Sequence, residues 1–194
     1  MFIKRLIVEN YRCLRDTRVE FNEHLNIVVG DNETGKSTLL EAVNLALSGQ
    51  LNGRSIHYEL HSFLFNVEAV GEYIQSLRDD GGGIPPRILI EVYFDDIDEL
   101  AKLKGTNNSL RENCPGVYLS IELDDTYGAE YSQYIDDPFE VRSVPVEYYG
   151  VVWRSFANEN ISSTSRSRSV IPKPLLIDAS NISHNLGANK YVLD

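Results

Sequence analysis

Gly30-Asp31-Asn32-Glu33-Thr34-Gly35-Lys36-Ser37 decides how this chain is read. The pattern is Gly, four residues, then Gly-Lys-Ser, set between a short apolar run and a helical pattern. That context is what a phosphate-binding P-loop requires. The residue types follow from the chemistry. Glycines at both ends let the backbone turn tightly, so that successive N–H groups aim inward as an anion nest. The helix that follows adds its unsatisfied N-terminal amides and the positive end of its dipole. Lys36 then offers a compact charge to the β- and γ-phosphates, and Ser37 a hydroxyl to Mg²⁺. A glycine-rich turn carrying a surface lysine would account for none of this combination.

Outward from the loop, the periodicity changes character. Upstream, Leu25-Asn26-Ile27-Val28-Val29 reads as a buried strand of an α/β sheet. Further back, Phe2, Leu6 and Val8 fall on one face and Arg5 and Glu9 on the other, and Thr17–Phe21 alternates cleanly. These are two adjacent strands joined by the turn-prone stretch Asn10–Asp16. Downstream, Leu39, Leu40, Val43, Ala46 and Leu47 form a helical stripe that Gly49 ends. Helical pieces are expected around Tyr58–Phe65 and Glu68–Arg78, and an exposed loop where Asp79-Asp80-Gly81-Gly82-Gly83 precedes Pro85-Pro86. Ile88, Ile90, Val92 and Phe94 alternate as a strand, and Asp95–Lys104 reads as a short helix with an acidic first turn. Val117, Leu119, Ile121 and Leu123 form another strand, and Val141–Trp153 holds one or two more. The serine-rich stretch at 162–170 is expected to be a mobile surface loop.

Composition narrows the partners. The net charge of −11 and a sequence pI of about 4.8 should repel a nucleic-acid backbone unless the basic residues cluster. DNA is therefore expected only through the full-length protein. No apolar run approaches the ~20 residues that span a bilayer, and the N-terminus lacks the features of a signal peptide. Cys13 and Cys114 make neither a disulfide framework nor a zinc set, so a cytoplasmic protein without a membrane partner is expected.

Residues 1–49 resemble the N-termini of the SMC/RecF group of ABC-type ATPases. The resemblance rests on the opening strand, Asn10-Tyr11-Arg12, a second strand, Asn26-Ile27-Val28-Val29-Gly30, Asn32 in the loop, and the helix Ser37-Thr38-Leu39-Leu40-Glu41-Ala42-Val43. Within that group the chain looks most like the OLD-type (overcoming-lysogenization-defect) ATPases, to which Ile90–Leu100 and Tyr148–Ile161 are also similar. What this implies is an α/β P-loop NTPase head, its N-terminal half, with an antiparallel β-subdomain. Residues 1–194 would be a single ATPase-head unit of a longer chain. ATP with Mg²⁺ would bind residues Gly30, Asp31, Asn32, Glu33, Thr34, Gly35, Lys36, Ser37 and Thr38, with Arg12 beside the nucleotide and Ser37 as a Mg²⁺ ligand. A second ATPase head would be the partner in a dimer or higher oligomer. OLD proteins join this ATPase to a Toprim nuclease domain, and many serve in phage defence.

GTP is disfavoured, because Asn189-Lys190-Tyr191 is followed by Val192 rather than completing an Asn-Lys-x-Asp motif. No signature motif and no complete Walker B motif is recognisable, so the chain alone is expected to bind ATP but barely hydrolyse it. Leu175-Leu176-Ile177-Asp178 comes nearest, but Ala179 stands where a catalytic glutamate belongs. Gln133 is a weak Q-loop candidate. His57 and His61, at i, i+4, would share a helix face, but without the His-Glu-x-x-His order. The pairs Asp79-Asp80, Asp95-Asp96, Asp124-Asp125 and Asp136-Asp137 read as solvated turns and helix starts, and Arg166 and Arg168 as part of the mobile loop, with contact to phosphate, nucleic acid or a partner head as the alternative. A nucleotide sensor without turnover and a complete small P-loop phosphotransferase stay open beside the ATPase. The position of the loop, after two alternating strands, fits the phosphotransferase poorly.

Overall fold

The computed structural model describes residues 1–80, 82–162 and 167–175. The chain opens as a hairpin of β1 (Ile3–Tyr11) and β2 (Leu14–Glu20), antiparallel, with Tyr11 opposite Leu14 and only Arg12 and Cys13 at the tip. Helix α1 (Lys36–Ser48) follows the P-loop. A small ribbon of β3 (Gln50–Leu51) and β4 (Arg54–Ser55) turns through Asn52-Gly53, both with positive φ. Helix α2 (Val67–Asp80) precedes β5 (Ile88–Phe94), which pairs antiparallel with β1. Next come β6 (Lys104–Gly105), β7 (Cys114–Leu123), helix α3 (Gly128–Tyr134) and β8 (Tyr149–Ser155). The main sheet runs β2-β1-β5-β7, with β6 and β8 both pairing β7, and every pairing is antiparallel.

The register decides which face is buried. It lines up Leu6, Val92 and Val117 in one row across β1, β5 and β7, and Val8, Ile90 and Leu119 in the next. These residues are fully buried and share one core with Leu39, Ala42, Leu45 and Ala46 of α1. The opposite face carries Arg5, Glu9, Glu91, Tyr118 and Ser120, with a small apolar cluster of Ile7, Tyr93 and Phe156. Helix α1 stops at Gly49, whose left-handed φ of 67° lets its N–H reach the Leu45 carbonyl at 2.8 Å. A side chain there would also strike Trp153, which lies flush against it while its indole N–H donates to the Ala46 carbonyl at 2.8 Å.

Several expectations need correction. Leu25–Val29 is not a buried strand: it has no ladder partner among the described residues, and Leu25, Ile27 and Val29 are 72–82% exposed. Apolar content marks a segment that favours burial, but a strand exists only where a neighbour offers its N–H and C=O groups. The described strands bond to one another, and none lies alongside this run. Tyr58–Phe65 is not helical throughout but contains parts of two 3₁₀ turns, Ile56–Tyr58 and Ser62–Leu64, so His57 and His61 share no helix face. Asp95–Lys104 shortens to a 3₁₀ stretch, Asp98–Leu103. In the serine-rich stretch, residues 163–166, Arg166 among them, lie outside the described residues. Ser167–Ser169 forms a 3₁₀ turn with the Arg168 guanidinium 5.7 Å from the Trp153 ring centroid, and Ile171 reaches the core.

Candidate functional site

The P-loop runs from Gly30, an exposed and irregular segment, into the first turn of α1. Glu33 and Gly35 both have positive φ, 68° and 90°, so the chain coils tightly before the helix begins. Gly35 is the N-cap, and here glycine is needed twice over. Its φ is unfavourable for other L-residues, and a Cβ would lie 2.9 Å from Cys13 Sγ and 3.3 Å from Leu14 Cδ2. The loop is thus pressed against the tip of the β1–β2 hairpin. Thr34 Oγ1 donates to the Asp31 carbonyl at 2.9 Å, closing the turn. The Lys36 ammonium sits within the loop, donating to the Gly30 carbonyl at 2.8 Å and to the Asp31 carbonyl, with Thr34 Oγ1 at 3.5 Å. Asn32 is exposed, as is Ser37 in the first turn of α1, and Thr38 Oγ1 lies 3.5 Å from Cys13 Sγ.

Arg12 is brought to the same place. Its backbone is left-handed, φ 50°, at the hairpin tip. Its N–H donates to the Leu64 carbonyl at 2.7 Å, and its own carbonyl accepts from Asn66 Nδ2 at 2.8 Å. Its guanidinium pairs with Glu41 of α1, Nε to Oε1 at 2.6 Å, and the Tyr11 hydroxyl donates to that same oxygen at 2.5 Å. Burial, reinforced by Glu41, pushes the Tyr11 phenol above its ordinary range, so it remains a donor. Burial works against the charge on Arg12, but Tyr11 and Glu41 outweigh it and raise the guanidinium. Because Glu41 is one helical turn beyond Ser37, Arg12 is held on the helix face that carries the Ser37 hydroxyl. Ser37 and Glu41 also line a common cleft of about 520 Å³, with Asn44, Arg168 and Lys173 on its walls.

Sequence reasoning missed Glu41, Tyr11 and Asn66 as site-builders. The available signal was Glu41 itself, a charge inside the run Leu39-Leu40-Glu41-Ala42-Val43. Asn66 is buried and does double duty, since its Oδ1 also accepts from Glu68 N and Ala69 N at the start of α2. Gln133 is exposed near the end of α3, away from the P-loop in the chain. Asp178 lies outside the described residues. Asp124 accepts from Thr126 N at 2.9 Å and Asp137 from Phe139 N at 3.0 Å within turns, Asp95 accepts from the distant Phe2 N at 2.8 Å, and Asp79-Asp80 ends α2 instead of opening a loop. Among the described residues no group of three or more His, Cys, Asp or Glu side chains is arranged to hold a metal, and no helix is long and apolar enough to cross a membrane.

The family follows from comparison with known proteins. A model described as an AAA domain matches residues 5–170. The chain belongs to the AAA-domain family. This AAA domain is 43% identical over 93 residues to the DNA replication and repair protein RecF of Ruminiclostridium cellulolyticum, covering 48% of the chain and 24% of that relative. It is 49% identical over 45 residues to the DNA double-strand break repair Rad50 ATPase of Methanopyrus kandleri, 23% of the chain and 5% of that protein. A solved RecF–ATP structure aligns with a TM-score of 0.44 at 17% identity, covering 86% of the chain and 29% of its own. The AAA domain therefore spans about a quarter of the RecF relative's length. It is an AAA domain with a mixed α/β fold built on an antiparallel sheet.

Proposed function

We propose that this chain binds ATP with Mg²⁺ as the nucleotide-binding part of a RecF/SMC-like ATPase. The observation that carries the reading is Lys36. Its ammonium lies inside the loop on the Gly30 and Asp31 carbonyls, acceptors that phosphate oxygens would replace. Residues 30–38 would wrap the phosphates, with Gly35 directing the α1 amides toward them. Arg12 would approach from the hairpin tip. The Ser37 hydroxyl fits Mg²⁺, which keeps few protein ligands and completes its shell with phosphate oxygens and water. Replacing Lys36 with Ala should lower ATP affinity at least about tenfold, roughly 1.4 kcal/mol, in calorimetry with Mg²⁺. Equal affinities would mean that the loop is not the site.

The names of the relatives, a replication and repair protein and a double-strand break repair ATPase, support a DNA-processing role. In this reading residues 1–194 belong to one ATPase head of a longer protein, and a second head and DNA are the partners. The OLD-type nuclease is the finer form, supported by the resemblance at Ile90–Leu100 and Tyr148–Ile161. ATP-dependent cleavage of DNA by the full-length protein would test it, and ATP turnover without cleavage would favour a RecF-like role.

A further inference from the structure

We infer that Glu41 is a positioning residue for Arg12, fixing the guanidinium so that its outer edge meets the phosphates. This rests on the reading of the P-loop as a triphosphate site. Arginine at a left-handed position is costly where glycine would be free, so its side chain has a use that outweighs the strain. The backbone is held by Leu64 and Asn66, which leaves the side chain as the remaining freedom. Glu41 restricts that freedom: Oε1 lies 2.6 Å from Nε as an ion pair without hydrogen-bond alignment, and Nη2 donates to Oε2 at 3.5 Å. Tyr11, fully buried, in turn fixes the carboxylate. Nη1 has no protein acceptor among the described residues, so one edge of the fork is anchored and the other remains for an anion. Arginine is suited to this division because its planar fork presents donors in fixed directions, which a lysine ammonium does not.

The sign of the effect separates positioning from plain electrostatics. Glu41 is a negative charge beside a site for a polyanion, so neutralising it would by charge alone strengthen ATP binding. A positioning role predicts the reverse. The experiment measures ATP affinity by calorimetry with Mg²⁺ for wild type, Glu41→Gln, Arg12→Ala and the double variant, with Lys36→Ala as control. Glu41→Gln should bind roughly tenfold more weakly, the scale of one hydrogen bond to a charged group. In the Arg12→Ala background the same change should have under about twofold effect, because the two residues act as a unit. Arg12→Lys keeps the charge but cannot be held by its Nε edge. It should lose a similar factor, and it provides the test if Glu41→Gln folds poorly. Unchanged or tighter binding by Glu41→Gln, equal losses in both backgrounds, or wild-type affinity in Arg12→Lys would each overturn the inference. Failure of wild type to bind ATP, or indifference to Lys36→Ala, would instead overturn the P-loop reading beneath it.

Discussion

Gly49 and Gly53 offer a matched pair for testing how the α1 terminus is held. Both have left-handed backbones, φ 67° and 77°, so an alanine at either should cost roughly 1–2 kcal/mol of strain. Their surroundings differ. A Cβ at Gly53 meets nothing within 4 Å, whereas at Gly49 it would lie 2.7 Å from Trp153 Cζ3 and 2.9 Å from Cε3. The indole cannot easily retreat, being hydrogen-bonded to the Ala46 carbonyl and faced by Arg168. Forcing a methyl into such contact adds about 1–3 kcal/mol. Gly49→Ala should therefore lose roughly 2–5 kcal/mol in all, and Gly53→Ala only the strain. Trp153 is the single tryptophan, so urea unfolding followed by its fluorescence reads both stability and local environment. The native emission should shift in Gly49→Ala and not in Gly53→Ala. Equal losses with unchanged emission would show that Trp153 does not pack on the helix end.

Further expectations concern the site and the core. Asn66→Ala removes the α2 cap and leaves the half-buried Arg12 carbonyl without its donor. It should cost about 1–3 kcal/mol in denaturant unfolding and weaken ATP binding; an unchanged midpoint would refute the double role. Burial raises the phenols of Tyr11, Tyr93, Tyr131 and Tyr149 above their ordinary value, so the unfolded chain ionises first as pH rises. Their contribution is complete below about pH 10 and is lost above it. Unfolding midpoints between pH 8 and 11 should fall at the upper end, less steeply in Tyr131→Phe, and a flat profile in wild type would contradict the burial. Millimolar ATP with Mg²⁺ should raise the melting temperature more than GTP does, and a larger GTP effect would count against an ATPase. Phosphate release by the 194-residue chain should stay near background, and turnover near one per second that depends on Lys36 would show a complete active site.

What could be read in advance was what local pattern encodes. Helix α1, its Gly49 stop, and the strands around Ile88–Phe94 and Val117–Leu123 repeat at the period of their structure, and all appear. Even there, alternation understated the burial of β5, where Glu91 on the polar face is itself covered by Ser109 and Tyr93. Asn52-Gly53 is a strong two-residue turn signal, passed over because the flanking strands are two residues each. Helix α3 carries no apolar stripe; it is held by Tyr131, whose hydroxyl meets that of Tyr73 in α2. The loop of residues 30–38 was legible because its chemistry is contiguous. The Tyr11–Glu41–Arg12 arrangement was not, because it depends on a hairpin tip meeting a helix about thirty residues later, and no local periodicity records that meeting.

The place of β1 between β2 and β5 has a consequence for how the site comes into being during synthesis. Strand β1 is paired on both sides, yet one partner, β5, ends at Phe94, and the tip that bears Arg12 is tied by Leu64 and Asn66. Translation at ~5–20 residues per second completes that partner roughly 3–11 s after the P-loop. Until then the hairpin has only β2 beside it, and an isolated two-stranded ribbon is marginal in water. The phosphate loop is thus made early and organised late, when distant segments close upon it and the entropy of that closure has been met.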